Sequence, residues 1–376
     1  MRIPTLRIIA LVVAVFSATA CSRNSFQRFF ERGERYISAH KYSEAVIEFT
    51  NATRANPQSI DAQMRLGDSY VALSQPARAA AAYERACALD NHNVTACVQA
   101  AAQFLAVGEY DNAAAEARLA LAADPLNLDA QLILGSALVG VRRFADAEER
   151  LQAAAALAPD DPRPLSALAD LQRQRGDGKG AEASLLKAIA LDPSSSRARV
   201  SLAELYLENG RRADGEGQLR AALAVNPNDL DANRTYASFL VETNRCDDAE
   251  QYWKNVAAHS PDRSGSLALA DYYVLSGRTD DALRVLEPMT SNDEGGAART
   301  RIASILYDRG QRDDAAKIVD AVLGTDPSSV NSLLLKARMA QDRGDSAEAR
   351  ELAHKAAAIA PDEPAVRQML AAGFAE

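Results

Sequence analysis

Histidines are the side chains best suited to acid–base catalysis or metal binding, and this sequence has only four of them. They lie far apart in the chain: His40, His92, His259 and His354. None has a second histidine or a carboxylate at the spacing of a metal site, and the HExxH and paired CxxC motifs are absent from the sequence. We therefore expect no metal site and no cofactor.

Three aspartate pairs and one glycine-rich stretch could also carry chemistry, as acid–base groups or as a phosphate-binding loop. The pairs Asp247–Asp248, Asp280–Asp281 and Asp313–Asp314 recur at a constant step, and the stretch GDGKGAEA (176–183) lacks the GxxxxGK[ST] pattern. Negative charge at the start of a helix is stabilised by the helix dipole. We interpret the pairs as helix starts and the stretch as a turn, so the sequence does not predict an enzyme.

Cysteines are the remaining reactive side chains. A turn between Cys87 and Cys97 could bring them together, and an oxidising compartment would permit a disulfide. Sequence alone cannot establish the Cα separation that a disulfide requires. A disulfide and two small buried thiols therefore both remain open, whereas Cys246 is expected to be a core thiol.

Cys21 follows residues arranged in the order of a secretory signal peptide. Arg2 and Arg7 precede the apolar run IIALVVAVF (8–16), and small residues come next. The run is shorter than the roughly 20 residues of a membrane-spanning helix. Ala-Thr-Ala-Cys resembles the lipobox of bacterial lipoproteins, which implies cleavage after residue 20, lipidation of Cys21 and, with Ser22 next, sorting to the outer membrane. The alternative is an ordinary signal peptide with an unrelated cysteine.

Charge and composition argue against several classes of function. The chain has 376 residues and a formal charge of −9, which becomes −11 without the two arginines of residues 1–20. Nucleic-acid binding needs clustered Lys and Arg, so an acidic exported chain is a poor candidate for it. Aromatic residues make up only 6% of the chain and alanine is abundant, which favours close-packed helices over a sheet.

Prolines mark a repeat along the chain. Six of them lie on one grid with a step of 34 residues: Pro57, Pro125, Pro159, Pro193, Pro227 and Pro261. Asn91 fills the single gap, two later steps shorten to 33, and the grid resumes at Pro327 and Pro361. The tetratricopeptide repeat (TPR) is a helix–turn–helix unit of 34 residues, so the chain resembles the TPR family.

Other repeat positions can be compared with the family when the proline is numbered 32. The resemblance implies small residues at positions 8, 20 and 27, which the first repeat fills with Gly33, Ala45 and Ala52, and a large one at 24, which is Phe49. Glycine recurs at position 15, where a left-handed conformation ends the first helix: Gly108, Gly176, Gly210, Gly277, Gly310 and Gly344. The implied fold is all-α, a right-handed TPR α-solenoid whose stacked repeats bury a continuous apolar stripe.

The predicted domain organisation is a signal peptide (1–20), a lipidated tether (21–25), ten repeats (26–363) and a C-terminal capping helix (364–376). The repeats have these bounds: 26–59, 60–93, 94–127, 128–161, 162–195, 196–229, 230–262, 263–295, 296–329 and 330–363. The eighth has Glu294 in place of proline, and Glu294-Gly295-Gly296 predicts a looser turn. The final segment could equally belong to a longer array.

The first helix of each repeat is the expected binding surface. The resemblance implies that its positions 2, 5, 9, 12 and 13 face a concave groove, here called the first-helix surface. The candidate partner-binding residues on it are Glu34, Asp68, Val98, Leu105, Leu132, Val139, Asp170, Glu204, Glu208, Arg234, Glu242 and Asp271. Apolar positions in repeats three and four, with acidic positions elsewhere, predict a partner segment with apolar anchors and basic flanks. The alternative for each residue is an ordinary solvated helix face.

Two segments carry a narrower resemblance. YSEAVIEFTNATRANP (42–57) and LALADYYVLSGRTDDALRVLE (267–287) are similar to segments of Gram-negative TPR lipoproteins of exopolysaccharide (PEP-CTERM, exosortase) systems. This resemblance implies a periplasm-facing outer-membrane lipoprotein that is a scaffold for protein partners in cell-envelope assembly or polysaccharide export. A pilotin-like factor for a secretin or pilus component, and a structural spacer, are the alternatives.

Overall fold

The structure, a computed structural model, describes residues 25–371 apart from the side chains of Asn292 and Glu294. Cys21 and the predicted signal peptide lie outside the described residues, and so do parts of the predicted tether and of the capping helix. The chain divides into two compact blocks, an N-terminal block ending at Gln218 and a C-terminal block beginning at Leu219. Between residues 25 and 371, none of the helices combines the length and the apolar character needed to cross a membrane.

The N-terminal block alternates first and second helices of successive repeats. Its helices are α1 (25–38), α2 (Tyr42–Ala55), α3 (Ile60–Ala72), α4 (Pro76–Leu89), α5 (Val94–Ala106), α6 (Tyr110–Ala123), α7 (Leu128–Gly140), α8 (Phe144–Leu157), α9 (Arg163–Gln174), α10 (Gly178–Leu191) and α11 (Ser196–Glu208). The division between the blocks falls within α12 (Arg212–Val225).

The C-terminal block continues the same alternation. Its helices are α13 (Leu230–Glu242), α14 (Cys246–His259), α15 (Ser264–Leu275), α16 (Thr279–Leu286), α17 (Ala297–Asp308), α18 (Arg312–Thr325), α19 (Val330–Asp342), α20 (Ser346–Ile359) and α21 (Pro364–Met369). Val366 of α21 is fully buried in a cluster with side chains of α19 and α20, so this short helix covers the apolar side of the last helix pair.

Every first helix ends at a residue in the left-handed conformation. The six glycines predicted at position 15 all have positive φ, which confirms their role. In the four repeats that lack glycine, the residue at that position also has positive φ: His40, Ser74, Arg142 and Asn244. The backbone therefore makes the same turn in all ten repeats, whatever side chain it carries.

Close packing within a repeat explains the small residue at position 8. A Cβ atom added to Gly33 would lie 2.6 Å from the ring of Phe49, and one added to Gly67 would lie 2.5 Å from the ring of Tyr83. In each case the large side chain comes from position 24 of the second helix. The two positions are thus complementary, because the missing Cβ makes room for the large side chain.

The turn after a second helix follows from the proline grid. The residue before the proline is extended, as for Asn56 with φ −139°, because the proline ring excludes the helical conformation there. The Asn56 side chain then accepts a hydrogen bond from the backbone N–H of Gln58 at 3.2 Å. Asp124, before Pro125, accepts the equivalent bond, and so does Asp90, before Asn91, so the turn recurs even where proline is absent.

The eighth repeat departs from this pattern, as predicted. Its second helix, α16, has only 8 residues and is followed by two short 3₁₀ helices, Glu287–Asn292 and Glu294–Gly296. Gly295 and Gly296 both have positive φ. The Asp293 carboxylate accepts bonds from the backbone N–H groups of Ala298 and Arg299, at 3.1 and 2.8 Å. An aspartate cap therefore replaces the proline turn before α17.

Candidate functional site

Several acidic residues of the first-helix surface are paired with arginines of the next repeat. Oε1 of Glu34 lies 2.9 Å from Nε of Arg65. Asp271 accepts two hydrogen bonds from the guanidinium of Arg301, at 2.7 and 2.9 Å. In both pairs the acid is at position 9 and the arginine at position 6 of the following repeat. These predicted binding residues thus connect adjacent helices, and much of their charge is already neutralised.

A second group of charges surrounds Arg173 in the N-terminal block. Its Nη1 lies 2.9 Å from Oε1 of Glu208 and 3.7 Å from Oε2 of Glu204. Desolvation by the surrounding protein raises the pKa of Asp170, while Arg173 and Arg197 act in the opposite direction. The structure therefore brings together three of the predicted acids around one arginine.

Asp68 and Arg234 have different surroundings. Asp68 accepts a hydrogen bond from the hydroxyl of Tyr83 at 2.8 Å. Burial, together with this bond, raises the pKa of Tyr83. Arg234 is exposed, and its ion pair with Asp231 is long, at 3.7 Å. Asp68 is therefore bound within its own repeat, whereas Arg234 remains available at the surface.

The apolar part of the first-helix surface is less open than predicted. Val98, Leu105 and Leu132 are half-buried and pack against core clusters. Val139, predicted as a partner-binding residue, is only 5% exposed, so the structure leaves little of its side chain accessible. It belongs to the same buried cluster as Phe104 and Leu171, because α7 lies in contact with both α5 and α9. The neighbouring helices cover Val139 before a partner could.

A cavity on the first-helix surface lies in the C-terminal block. We call it the α13–α15 pocket, and it has a volume of about 340 Å³. It is lined by Ser238, Val241, Glu242, Trp253, Ala268, Asp271, Tyr272 and Leu275. Two of these residues, Glu242 and Asp271, were predicted. The pocket lies between first helices, with the tryptophan supplied by the second helix α14.

The α13–α15 pocket combines an exposed apolar side chain with an unpaired carboxylate. Leu275 lines the pocket and is 78% exposed, so most of this large apolar side chain is in contact with solvent. Nε1 of Trp253 is buried and has no hydrogen-bond partner among residues 25–371. Glu242 is exposed and forms no ion pair with any described side chain. A buried N–H without an acceptor costs about 1–3 kcal/mol. The accessible lining of the pocket offers an apolar wall and a negative charge to a ligand.

A second cluster lies inside the N-terminal block. Sγ of Cys87 and Sγ of Cys97 are bonded at 1.95 Å, with the Cα atoms 4.9 Å apart, so of the two open alternatives the structure has the disulfide. Glu116 of α6 lies beside it, only 9% exposed, and its Oε2 has no hydrogen-bond partner among the described residues. Burial, and to a lesser extent Glu84, raises the pKa of Glu116 to about 7. Cys246, expected to be a core thiol, is instead half-buried at the start of α14.

A repeated charged cluster joins consecutive repeats on the second helices. Glu250 of α14 accepts a hydrogen bond from the Tyr273 hydroxyl at 2.9 Å and from Arg278 at 2.7 Å. Arg278, then Lys254 and Tyr273, lower the pKa of Glu250 to about 2. In the N-terminal block, Tyr206 and Arg211 donate the equivalent hydrogen bonds to Glu182. These bonds lower the pKa of Glu182.

Sequence reasoning missed three residues of these sites. Leu275 is at position 13, which the family resemblance places on the first-helix surface, so its type and position were sufficient to find it. Trp253 is at position 24, which the resemblance reserves for core residues, and nothing in the sequence distinguishes it. Glu116 lies in an alanine-rich helix, and only its nearness to Cys87 and Cys97 in space gives it significance.

Comparison with known proteins agrees with this architecture. Two family models described as tetratricopeptide repeat match the chain, one at residues 30–94 and 300–364, the other at 104–171 and 172–229. Together they cover well over half of the sequence. A search of curated proteins returned no match.

Solved structures include several similar proteins. A tetratricopeptide repeat protein from Parabacteroides merdae is 16% identical, with a TM-score of 0.56, over 67% of this chain and 99% of its own. A thermophilic TPR protein from Thermus thermophilus is 28% identical over 49% of this chain and 100% of its own, with a TM-score of 0.45. MamA from Desulfovibrio magneticus is 20% identical over 46% of this chain and 97% of its own, with a TM-score of 0.41. Because the Parabacteroides merdae protein is only 16% identical, its similarity shows the fold alone.

The fold is therefore the predicted one: paired antiparallel helices that repeat along each block, with small residues at the contacts between helices. TPR proteins are generally non-catalytic scaffolds for protein–protein interactions. The matched family models and the repeated helix pairs lead to one conclusion. This chain belongs to the tetratricopeptide repeat family.

Proposed function

We propose that this protein is a lipid-anchored scaffold that binds a partner protein through the α13–α15 pocket. The pocket carries the proposal because it combines an exposed leucine, a half-buried tryptophan and an unpaired carboxylate within one concave surface. Elsewhere on the first-helix surface, several of the predicted residues are paired with one another or buried.

The chemistry of the pocket specifies the partner segment. An apolar side chain of the partner packs against the exposed Leu275, where burying a large aliphatic group contributes about 1.5–3 kcal/mol. A lysine or arginine beside the apolar residue approaches Glu242, whereas Asp271 is already bound by Arg301. The partner is thus a segment with an apolar anchor and a basic flank.

The residues before the described region support the cellular setting of this scaffold. The charged, apolar and small residues of 1–20, followed by Cys21, favour cleavage and lipidation. We place the protein on the periplasmic face of the outer membrane, in a cell-envelope assembly or polysaccharide-export system. The similarity of segments 42–57 and 267–287 to TPR lipoproteins of exopolysaccharide systems supports that assignment.

Binding can be measured directly because Trp253 is the only tryptophan in the chain and lies in the pocket. Synthetic peptides with a central leucine and either lysine or glutamate flanks are titrated against the purified protein while tryptophan fluorescence is followed. We expect the lysine-flanked series to bind and Leu275→Ser to weaken it by about tenfold, as for a typical interface hot spot. Leu126→Ser is the matched control, since Leu126 is 71% exposed but lies outside the pocket. Equal binding of both peptide series, or no effect of Leu275→Ser, would refute the proposed site.

Membrane anchoring has its own test. The native protein should fractionate with the outer membrane, and Cys21→Ser should release it to the soluble periplasmic fraction. Retention of Cys21→Ser in the membrane fraction would rule out Cys21 as the anchor without affecting the pocket. Conversely, if deletion of one repeat abolishes function while Leu275→Ser does not, the protein is a spacer.

A further inference from the structure

We propose that Cys87, Cys97 and Glu116 form a zinc-binding site when the disulfide between the two cysteines is reduced. The site lies where three helices of the N-terminal block meet. Cys87 is in the last turn of α4, Cys97 is in the first turn of α5, and Glu116 is in α6. This inference is independent of the α13–α15 pocket, which lies in the other block.

Geometry brings the three ligands together. The two Sγ atoms and one carboxylate oxygen all lie within 4.8 Å of one another, and all three residues are buried. Zinc binds Cys sulfur at about 2.3 Å, which places two thiolates roughly 3.7 Å apart in a tetrahedral site. The Cα atoms are 4.9 Å apart, so rotation of the two cysteine side chains suffices to separate the sulfurs to that distance without moving the helices.

Glu116 is the second observation that points to a ligand. The residue is only 9% exposed, it lies in an alanine-rich stretch of α6, and its Oε2 has no hydrogen-bond partner among the described residues. A disulfide gains nothing from a neighbouring carboxyl, and burying an unpaired polar group is unfavourable. A cation between the thiolates would supply the missing partner, which explains why a glutamate lies here among alanines.

The chemistry balances in two steps. A dithiol reductant transfers two electrons to the Cys87–Cys97 bond, becomes a disulfide itself and leaves two thiols. Zn²⁺ then binds two thiolates and the Glu116 carboxylate, which releases the two thiol protons and any proton held by the carboxyl. Water fills the fourth position of the tetrahedron. Oxidation of the two thiolates back to the disulfide removes two ligands and frees the ion, so metal binding and the disulfide exclude each other.

The test uses the full chain, reduced with a dithiol that is then removed without oxygen, and Co²⁺ alone as the probe. We expect one bound Co²⁺ with a thiolate-to-metal charge-transfer band in the reduced protein and none in the oxidised protein. Zn²⁺ should displace the cobalt. Glu116→Gln keeps the shape of the side chain but removes the charge, and should weaken Co²⁺ binding by at least about tenfold. Glu84→Gln, an exposed neighbour, and Cys246→Ser, a thiol elsewhere, are the matched controls and should leave it unchanged.

A second measurement keeps the proposal testable if a variant folds poorly. In the unmodified reduced chain, Zn²⁺ should slow alkylation of Cys87 and Cys97 but not that of Cys246. Absence of the charge-transfer band, equal alkylation with and without Zn²⁺, or undiminished Co²⁺ binding in Glu116→Gln would each overturn the site. The last of these outcomes would mean that the cysteines bind the ion without the carboxylate.

Discussion

Glu116 in the N-terminal block and Glu250 in the C-terminal block both lie on second helices, yet their surroundings are opposite. Glu116 is buried beside a disulfide, with Oε2 unpartnered and a pKa raised to about 7. Glu250 is bound by a tyrosine, an arginine and a lysine, which lower its pKa to about 2. The same side chain on the same kind of helix therefore destabilises one helix packing and stabilises the other.

The difference arises from what the neighbouring repeat provides. After Glu250, the next repeat supplies Tyr273 and Arg278, and the arginine also lies 4.7 Å from the centre of the tyrosine ring. Around Glu116, the nearby groups are the bonded cysteines and the like charge of Glu84. A helix in a repeat array is thus stabilised or destabilised by the repeat beside it, because each repeat makes most of its contacts with its neighbours.

The largest expected effect concerns Glu116 in the oxidised protein. Because its folded pKa is raised from 4.5 to about 7, the native state binds this proton more tightly and stability falls as the pH rises between these values. By linkage the loss amounts to up to about 3 kcal/mol at pH 8. Glu116→Gln should remove that pH dependence. The measurement is urea unfolding at pH 5 and pH 8, with Glu84→Gln as control. If the unfolding free energy of Glu116→Gln differs between pH 5 and pH 8 as much as that of the native chain, Glu116 is not desolvated.

Glu250 should show a smaller effect of opposite sign. Its folded pKa is lowered from 4.5 to about 2, so its contribution is present above pH 4.5 and is lost as the pH falls towards 2. Because its arginine and lysine partners are at the surface, we expect Glu250→Gln to cost about 1 kcal/mol at pH 7 and to weaken the loss of stability at acid pH. Glu182→Gln tests whether the equivalent cluster behaves alike. The measurement is the unfolding temperature of each protein from pH 2 to pH 7. The same pH dependence in the variants and the native chain would contradict this interpretation.

The smallest effects concern the left-handed turns, which compare repeats with and without glycine. Ser74 and Arg142 have φ of 55° and 59°, a conformation that costs a non-glycine residue about 1 kcal/mol. Ser74→Gly and Arg142→Gly should therefore raise the unfolding free energy by up to about 1 kcal/mol each. Asn244→Gly should change it little, because asparagine tolerates this region. A stabilisation at Asn244 as large as at Ser74 would show that the gain comes from another cause.

Much of the fold could be predicted from local rules. The proline step gave the repeat length, and glycine at position 15 gave the ends of first helices. The looser turn around Gly295 was predicted from the absence of proline, although Asp293 as its cap was not. For the candidate site the result is mixed, since Glu242 and Asp271 line the pocket, Leu275 was missed, and Val139 proved to be buried.

The sequence by itself determined where helices begin and end, which positions are small or large, and that the chain is a repeat array. These properties depend on φ, ψ and side-chain volume within about 34 residues, so they can be read locally. Only the tertiary structure decided which acid meets an arginine, where Trp253 lacks an acceptor, and that Glu116 lies beside the two bonded cysteines. Those pairings depend on the offset between helices of different repeats, and an offset is set by the packing of whole helices.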